Sequence, residues 1–190
     1  VDGFHFLEVK TTDHRGHIDF RGPVGKEQAL RYLLTDTQSY ISFSNFVKVD
    51  DFETTAPKAT FIDDLFVAGK ITTCDISFDG IHQKVALLGG GKVFGSFNMS
   101  TNGDFVLGGD ESAHLKCLGS FTRTGGETYL LGSLSTADKP MTIGSIISRG
   151  NVSLTTVGKG DIKGADIEFL GNIEGNHPIS IAAGSGNLTF

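Results

Sequence analysis

The stretch that decides the fold is Ile18-Asp19-Phe20-Arg21-Gly22-Pro23-Val24-Gly25, and it recurs near the end of the chain as Ile167-Glu168-Phe169-Leu170-Gly171-Asn172-Ile173-Glu174-Gly175. Both stretches follow the pattern apolar-x-Phe-x-Gly-x-apolar, with a further Gly one or two residues later. Because alternate residues of a β-strand face the same side, the pattern predicts that Ile18 and Phe20 point inward and that Asp19 points outward.

The apolar-x-apolar unit at the start of this stretch recurs along the chain. Further copies are found at 41–43, 76–78, 103–107, 129–131, 150–154 and 186–190. The first apolar residues of successive copies are 15 to 35 residues apart and about 24 on average, which falls within the range typical of solenoid repeats. The spacing therefore predicts a degenerate repeat in which each coil carries two or three short strands.

The composition agrees with short strands and tight corners. The 190 residues include 26 Gly, nearly double the usual share of about 7%, and Gly and Asn both tolerate positive φ. We predict an all-β parallel β-solenoid with Gly and Asn corners, in which equivalent Phe and Ile residues stack about 4.8 Å apart. The alternative is a β-sandwich or jelly roll, but neither Asn102-Gly103 nor Asp2-Gly3 has the well-formed alternating strands on both sides that a hairpin turn requires.

The chain is predicted to form one solenoid segment over residues 1–190. The acidic stretch within 50–60 is a candidate loop excursion, because it lies in the longest step between two copies of the unit. Phe190 lies inside a repeat unit, so we expect the native array to continue beyond it.

Residues 26–34 are compatible with two secondary structures. Good helix formers and a helical spacing of apolar residues are present, but Leu30, Tyr32 and Leu34 also alternate as in a strand. We favour the strand, because the matching stretch after Pro178 is rich in Gly and cannot be helical.

The opening stretch, together with Ala29-Leu30 and Ile41-Ser42-Phe43, resembles the repeats of large bacterial surface proteins, the filamentous-haemagglutinin-like adhesins and autotransporter passengers. Residues 167–190 resemble the same repeat. The resemblance implies a right-handed parallel β-helix, export to the cell surface, and adhesion or display. The irregular steps and the acidic stretch around Asp50 depart from the tidier arrays of the family. The family has no common active site, so the resemblance implies no catalytic or ligand-binding residues.

Charge and cysteine content weigh against several classes of protein. The net charge is −6, and Lys and Arg are scattered singly, which disfavours nucleic acid as a partner. No apolar run reaches the length of a membrane-spanning helix. Cys74 and Cys117 are too few for a disulfide scaffold, and we interpret them as small buried apolar residues.

Four clusters carry residue types that could support chemistry. His14 with His17 lacks further metal ligands, and His114 with Cys117 lacks a third group to orient a catalytic dyad. Asp63-Asp64, with the acids at 50–53, lacks a recognised calcium-loop pattern. Gly89-Gly90-Gly91-Lys92 is followed by Val93 rather than by Ser or Thr and a helix, so we interpret it as a glycine corner. We therefore predict no catalytic, metal-binding or cofactor-binding residues.

Strand-borne acids leave one enzymatic alternative open. Polysaccharide-cleaving enzymes need two carboxylates at a defined separation. Asp19, Asp75, Asp104 and Glu168 lie in widely separated repeats, where stacking can still bring two of them together.

The sequence thus predicts a non-catalytic structural or adhesive segment of an exported protein, located outside the cell or on the bacterial surface. The expected partners are neighbouring repeats, copies of the same chain, or a host protein or glycan. The alternatives are a self-polymerising subunit of an extracellular filament and a polysaccharide-active β-helix enzyme.

Overall fold

The computed structural model describes residues 1–11, 16–158 and 163–190, and these residues form strands but no helix. Every pairing between the strands is parallel, and the chain winds into a β-solenoid of about eight turns. The all-β solenoid predicted from the sequence is therefore confirmed. Each turn contributes one strand, or part of a longer strand, to each of three faces.

The three faces are defined by their register of paired strands. Face 1 comprises β2 (Ile18–Phe20), β4 (Tyr40–Phe43), β6 (Lys58–Phe61), β9 (Asp75–Phe78), β12 (Phe97–Ser100), the starts of β15 (Phe121–Thr136) and β16 (Met141–Thr155), β17 (Ile167–Phe169) and β20 (Leu188–Thr189). Face 2 comprises the start of β5 (Val47–Thr54), β7 (Leu65–Val67), β10 (Val85–Leu87), β13 (Phe105–Leu107), the middle of β15 and β16, and β18 (Ile173–Glu174). Face 3 comprises β1 (Phe6–Lys10), β3 (Leu30–Asp36), the end of β5, β8 (Ile71–Thr73), β11 (Gly90–Val93), β14 (His114–Cys117), the ends of β15 and β16, and β19 (Ile179–Ala182).

The coils are 17 to 26 residues long, measured between successive paired strands of face 1. Three of the copies found in the sequence belong to other faces: 103–107 and 129–131 lie on face 2, and 150–154 lies on face 3. The sequence pattern also missed the face-1 strands that pair at Ala59, Phe97, Phe121 and Met141, because none of them reads Ile-x-Phe.

Stacked aromatic rings fill the interior behind face 1. Phe20, Phe43, Phe61 and Phe78 occupy equivalent positions in four consecutive coils, and their ring centroids are 4.7 to 5.5 Å apart. Phe52 reaches this column from face 3 and contacts Phe61 edge-on at 5.8 Å. These rings are part of one continuous core of buried apolar residues, and its burial stabilises the solenoid.

Two local predictions differ from the structure in instructive ways. The predicted loop excursion at 50–60 is occupied instead by the second half of β5, a short corner at 55–57, and the start of β6. Residues 30–36 form a strand as predicted, but Leu33 rather than Leu34 is buried. The reason is a corner inside β3. Leu30 pairs with Val49 on face 2, whereas Leu33 pairs with Phe52 on face 3.

Candidate functional site

Outward-facing residues of equivalent strands form ladders, and each face has its own chemistry. Face 1 carries uncharged polar side chains over most of its length: Ser42, Thr60, Ser77, Asn98, Thr122 and Thr142. Face 2 carries apolar side chains between Lys48 and Glu174: Phe66, Ala86, Val106, Tyr129 and Ile147. The central ladder of face 3 changes from acidic to basic in the order Glu53, Thr72, Lys92 and Lys116.

Several of the acids that the sequence offered as ligands or catalysts bond one coil to the next. The carboxylate of Asp51 accepts a hydrogen bond from the Lys70 amide at 2.7 Å, and that of Asp64 accepts one from the Lys84 amide at 2.7 Å. The same arrangement joins Asp2 to Gln28, Asp75 to Ser96, Asp138 to Gly158 and Asp166 to Asn187. These carboxylates satisfy amides at coil corners that would otherwise lack a partner. Sequence reasoning missed this role, because acid and amide are separated by a whole coil.

The acids near residue 50 do not converge on a metal site. Within the ranges that the structure describes, no group of three or more His, Cys, Asp or Glu residues is placed to hold a metal ion. Glu53 accepts a hydrogen bond from the Tyr32 hydroxyl, and this bond raises the pKa of Tyr32 to about 12. Asp63 accepts a hydrogen bond from the Asp64 amide at 2.8 Å. The cluster is therefore built into the corners of the coil.

Two strand-borne acids do lie in neighbouring coils. Asp104 and Glu127 immediately precede the paired residues of β13 and β15 on face 2, so their backbones are one strand spacing apart. Glu127 also accepts a hydrogen bond from the Tyr129 hydroxyl. Asp19 and Glu168, by contrast, lie near opposite ends of face 1. Stacking thus brings Asp104 near an acid that the sequence did not single out.

The candidate histidine sites are separated or engaged elsewhere. His14 lies outside the described residues. His17 stacks on the ring of Tyr40 at 4.9 Å, and its Nε2 atom lies 3.2 Å from a carboxylate oxygen of Asp19.

The His114–Cys117 pair does not form a dyad, because the two side chains lie on opposite sides of β14. His114 faces outward and its Nε2 atom lies 2.8 Å from the Ser135 hydroxyl. Cys117 is fully buried, and burial raises the pKa of its thiol to about 12. Both Cys117 and the half-buried Cys74 are free thiols.

The glycine run at 89–92 includes more than a corner. Gly89 lies at the corner, but Gly90, Gly91 and Lys92 belong to strand β11. Gly90 and Gly91 have φ values of 71° and 140°, and a Cβ atom on Gly91 would lie 2.0 Å from the carbonyl oxygen of Ile71. Only glycine allows this close approach of two coils.

Gly89 and Gly91 line a basic groove on face 3. The groove has a volume of about 350 Å³ and is lined by Lys70, Thr72, Gly89, Gly91, Lys92, Ser112, His114 and Lys116. Lys92 and Lys116 are directly paired in adjacent strands, and the Nζ atom of Lys92 lies 4.1 Å from the centroid of the Phe94 ring. The sequence showed only scattered lysines, because successive members of the cluster are one coil apart. Their recurrence at the length of a coil is the signal that could have revealed them.

A buried arginine interrupts the aromatic column behind face 1. Arg123 occupies the position of Met99 in the preceding coil and is fully buried. Its guanidinium group donates hydrogen bonds to the carbonyl oxygens of Thr101, Gly103 and Thr124 at 3.1, 2.5 and 2.5 Å. Burial lowers the pKa of Arg123 to about 10, so the side chain is charged at neutral pH. These bonds fix the irregular register between 123 and 127, which indicates a structural role.

Comparison of the chain with protein-family models, with curated proteins and with solved structures found no match. No helix that is long and apolar enough to cross a membrane occurs in the described part of the chain. The outer faces and the groove are therefore the features from which a function must be argued.

Proposed function

We propose that this chain is a non-catalytic structural and adhesive segment of an exported bacterial surface protein, in which a rigid solenoid presents its outer faces to a partner. The observation that carries the proposal is the set of outer ladders, which are polar on face 1, apolar on face 2 and charged on face 3. The resemblance of the two Ile-x-Phe-x-Gly stretches to adhesin repeats supports the same function.

The architecture suits display for a physical reason. In a solenoid each coil contacts only its neighbours, and inward ladders supply the stability. Outward side chains can therefore be chosen for a partner with little effect on folding. The corner carboxylates, such as Asp64 bonded to the Lys84 amide, serve the coil rather than a catalytic centre.

The location of the native protein tests the proposal. Intact source cells are treated with an impermeant protease and then fractionated, and an antibody against this chain is used on blots. We expect the band to disappear on protease treatment while a cytoplasmic marker in the same cells remains. A band that stays protected until the cells are lysed would contradict the proposal.

A self-polymerising subunit is the second candidate, because every coil pairs with the next through the same parallel ladders. Copies of a parallel solenoid can in principle add to one another through such ladders. Filaments formed by the purified chain, seen by electron microscopy and sedimentation, would favour this candidate, whereas a concentration-independent monomer would exclude it.

A polysaccharide-active enzyme is the third candidate, and it rests on the proximity of Asp104 and Glu127. Hydrolysis with retention or inversion needs two carboxylates across one bond. Turnover of neutral and acidic glycans by the purified chain, abolished in Asp104→Asn, would support it. Turnover that persists in this variant would place any activity elsewhere.

A further inference from the structure

We infer that the basic groove of face 3 binds the carboxylate groups of a linear acidic polysaccharide. The inference deepens the proposed function by assigning a ligand class to one displayed face. It is carried by three lysines, a histidine and two hydroxyl groups that line one depression in a protein of net charge −6.

The lysines of the groove form no ion pair within the described ranges, although two acids lie at its edge. The ion pairs identified in those ranges lie elsewhere in the chain. The carboxylate of Asp51 accepts a hydrogen bond from the Lys70 amide, and that of Asp110 accepts hydrogen bonds from the amide and hydroxyl groups of Ser112. The ammonium groups of Lys92 and Lys116 are therefore available to a bound anion.

Two of the lysines lie in an arrangement that is unfavourable for folding. Lys92 and Lys116 are directly opposite each other in adjacent parallel strands. Like charges at directly opposed positions destabilise a sheet, and the contact of Lys92 with the Phe94 ring offsets only part of this repulsion. A bound anion between the two ammonium groups converts this repulsion into attraction.

Glycines line part of the groove. Gly89 and Gly91 contribute no side chains to it. A Cβ atom on Gly91 would lie 2.0 Å from the carbonyl oxygen of Ile71, so the close approach of the coils restricts this position to glycine. The hydroxyl group of Thr72 lines the same space and can bond a sugar hydroxyl, whereas the hydroxyl group of Ser112 donates a hydrogen bond to Asp110.

The shape of the site favours a linear ligand over a single small anion. A second depression of about 270 Å³ shares His114 and Lys116 with the groove and extends along face 3 past Ser135 and Thr155. Cations in adjacent coils are about 4.8 Å apart at the backbone, a distance comparable to the length of one sugar residue in an extended chain. A linear polyanion that runs along the solenoid axis therefore passes Lys92 and Lys116 in turn.

The test is binding of oligogalacturonate to the purified chain, measured by isothermal titration calorimetry at low salt. We expect saturable binding that weakens as salt is added. The double variant Lys92→Gln with Lys116→Gln should lower the affinity at least tenfold. The matched control is Lys58→Gln with Lys84→Gln, which removes the same charge from two exposed lysines on other faces and should bind like the parent.

His114 gives an independent readout of where the ligand binds. Burial, and then the positive charge of Lys116, lower the pKa of His114. A carboxylate bound in the groove should raise this pKa in an NMR titration, and the double variant should show no such change.

Three results would overturn the inference. They are failure of the parent to bind oligogalacturonate, equal binding by the double variant, and tighter binding of a single-stranded oligonucleotide of matched charge through the same lysines. Because these measurements use purified protein, they report on the groove alone. The protease experiment on cells reports on the surface location, so the two can fail separately.

Discussion

Replacing Phe61 with Ala gives the sharpest test of the aromatic column. Phe61 is fully buried, stacks on Phe43 at 4.7 Å and on Phe78 at 5.5 Å, and contacts Phe52 edge-on at 5.8 Å. Truncation of a buried Phe usually costs about 3–5 kcal/mol. Each aromatic pair adds about 0.5–1.5 kcal/mol beyond burial, so three pairs place the loss near the upper end of that range.

The control is the neighbouring residue. Ile62 follows Phe61 in sequence but is 50% exposed, so Ile62→Ala should cost about 1 kcal/mol or less. Phe61→Leu, which keeps most of the volume but loses the rings' contacts, should fall between the two alanine variants.

Denaturant unfolding followed by circular dichroism measures the free energy of unfolding of each variant. Hydrogen exchange then locates the loss. Because coils interact only with their neighbours, amides in the strands of Phe43 and Phe78 should lose protection most, and those near Phe169 least. A Phe61→Ala variant that unfolds like the parent or like Ile62→Ala would refute the assignment of stability to the column.

Three further predictions follow from individual contacts. Arg123→Met should lower the free energy of unfolding by about 2–4 kcal/mol, because three carbonyl oxygens lose the guanidinium group as their hydrogen-bond donor. A variant as stable as the parent in denaturant titration would contradict this prediction. Asp64→Ala should lower the free energy of unfolding by about 1 kcal/mol and expose the Lys84 amide to hydrogen exchange, whereas Asp64→Asn should retain most of the amide's protection. Protection of this amide that survives in both variants, or that is lost in both, would contradict the role of the carboxylate. In a thiol titration of the native protein at pH 8, Cys74 should react well before Cys117, since burial raises the pKa of Cys117 to about 12 and excludes the reagent; reaction of both at one rate would show that the coil opens.

The sequence was sufficient for the fold wherever the inward residues kept the Ile-x-Phe pattern. The strands at 18, 41, 76, 167 and 188 are all face-1 strands, as their shared pattern implied. The period could not be phased through the middle of the chain, because Met99 and Arg123 replace Phe in the column and the coils differ in length. Units from three faces were therefore merged into one series.

The candidate groove was beyond the reach of sequence patterns for a different reason. Its lysines are 22 and 24 residues apart, so no local window contains two of them. Only a correctly phased coil places Lys92 opposite Lys116 and Gly90 opposite His114. The corner carboxylates were missed in the same way, since their partners are one coil away.

The separation of inside from outside explains why the fold says little about function and the outer ladders say more. Inward positions are constrained by stacking, so Ile, Phe and Leu recur there irrespective of any partner. Outward positions on a solenoid have no such constraint, and uncharged polar residues such as those of face 1 are sufficient for solubility. Against that background, the two directly opposed lysines Lys92 and Lys116 are a departure that repulsion opposes. The close approach of the coils accounts for the glycines beside them, and the Phe94 ring stabilises Lys92 in part. An anionic ligand between the two ammonium groups would account for the pair.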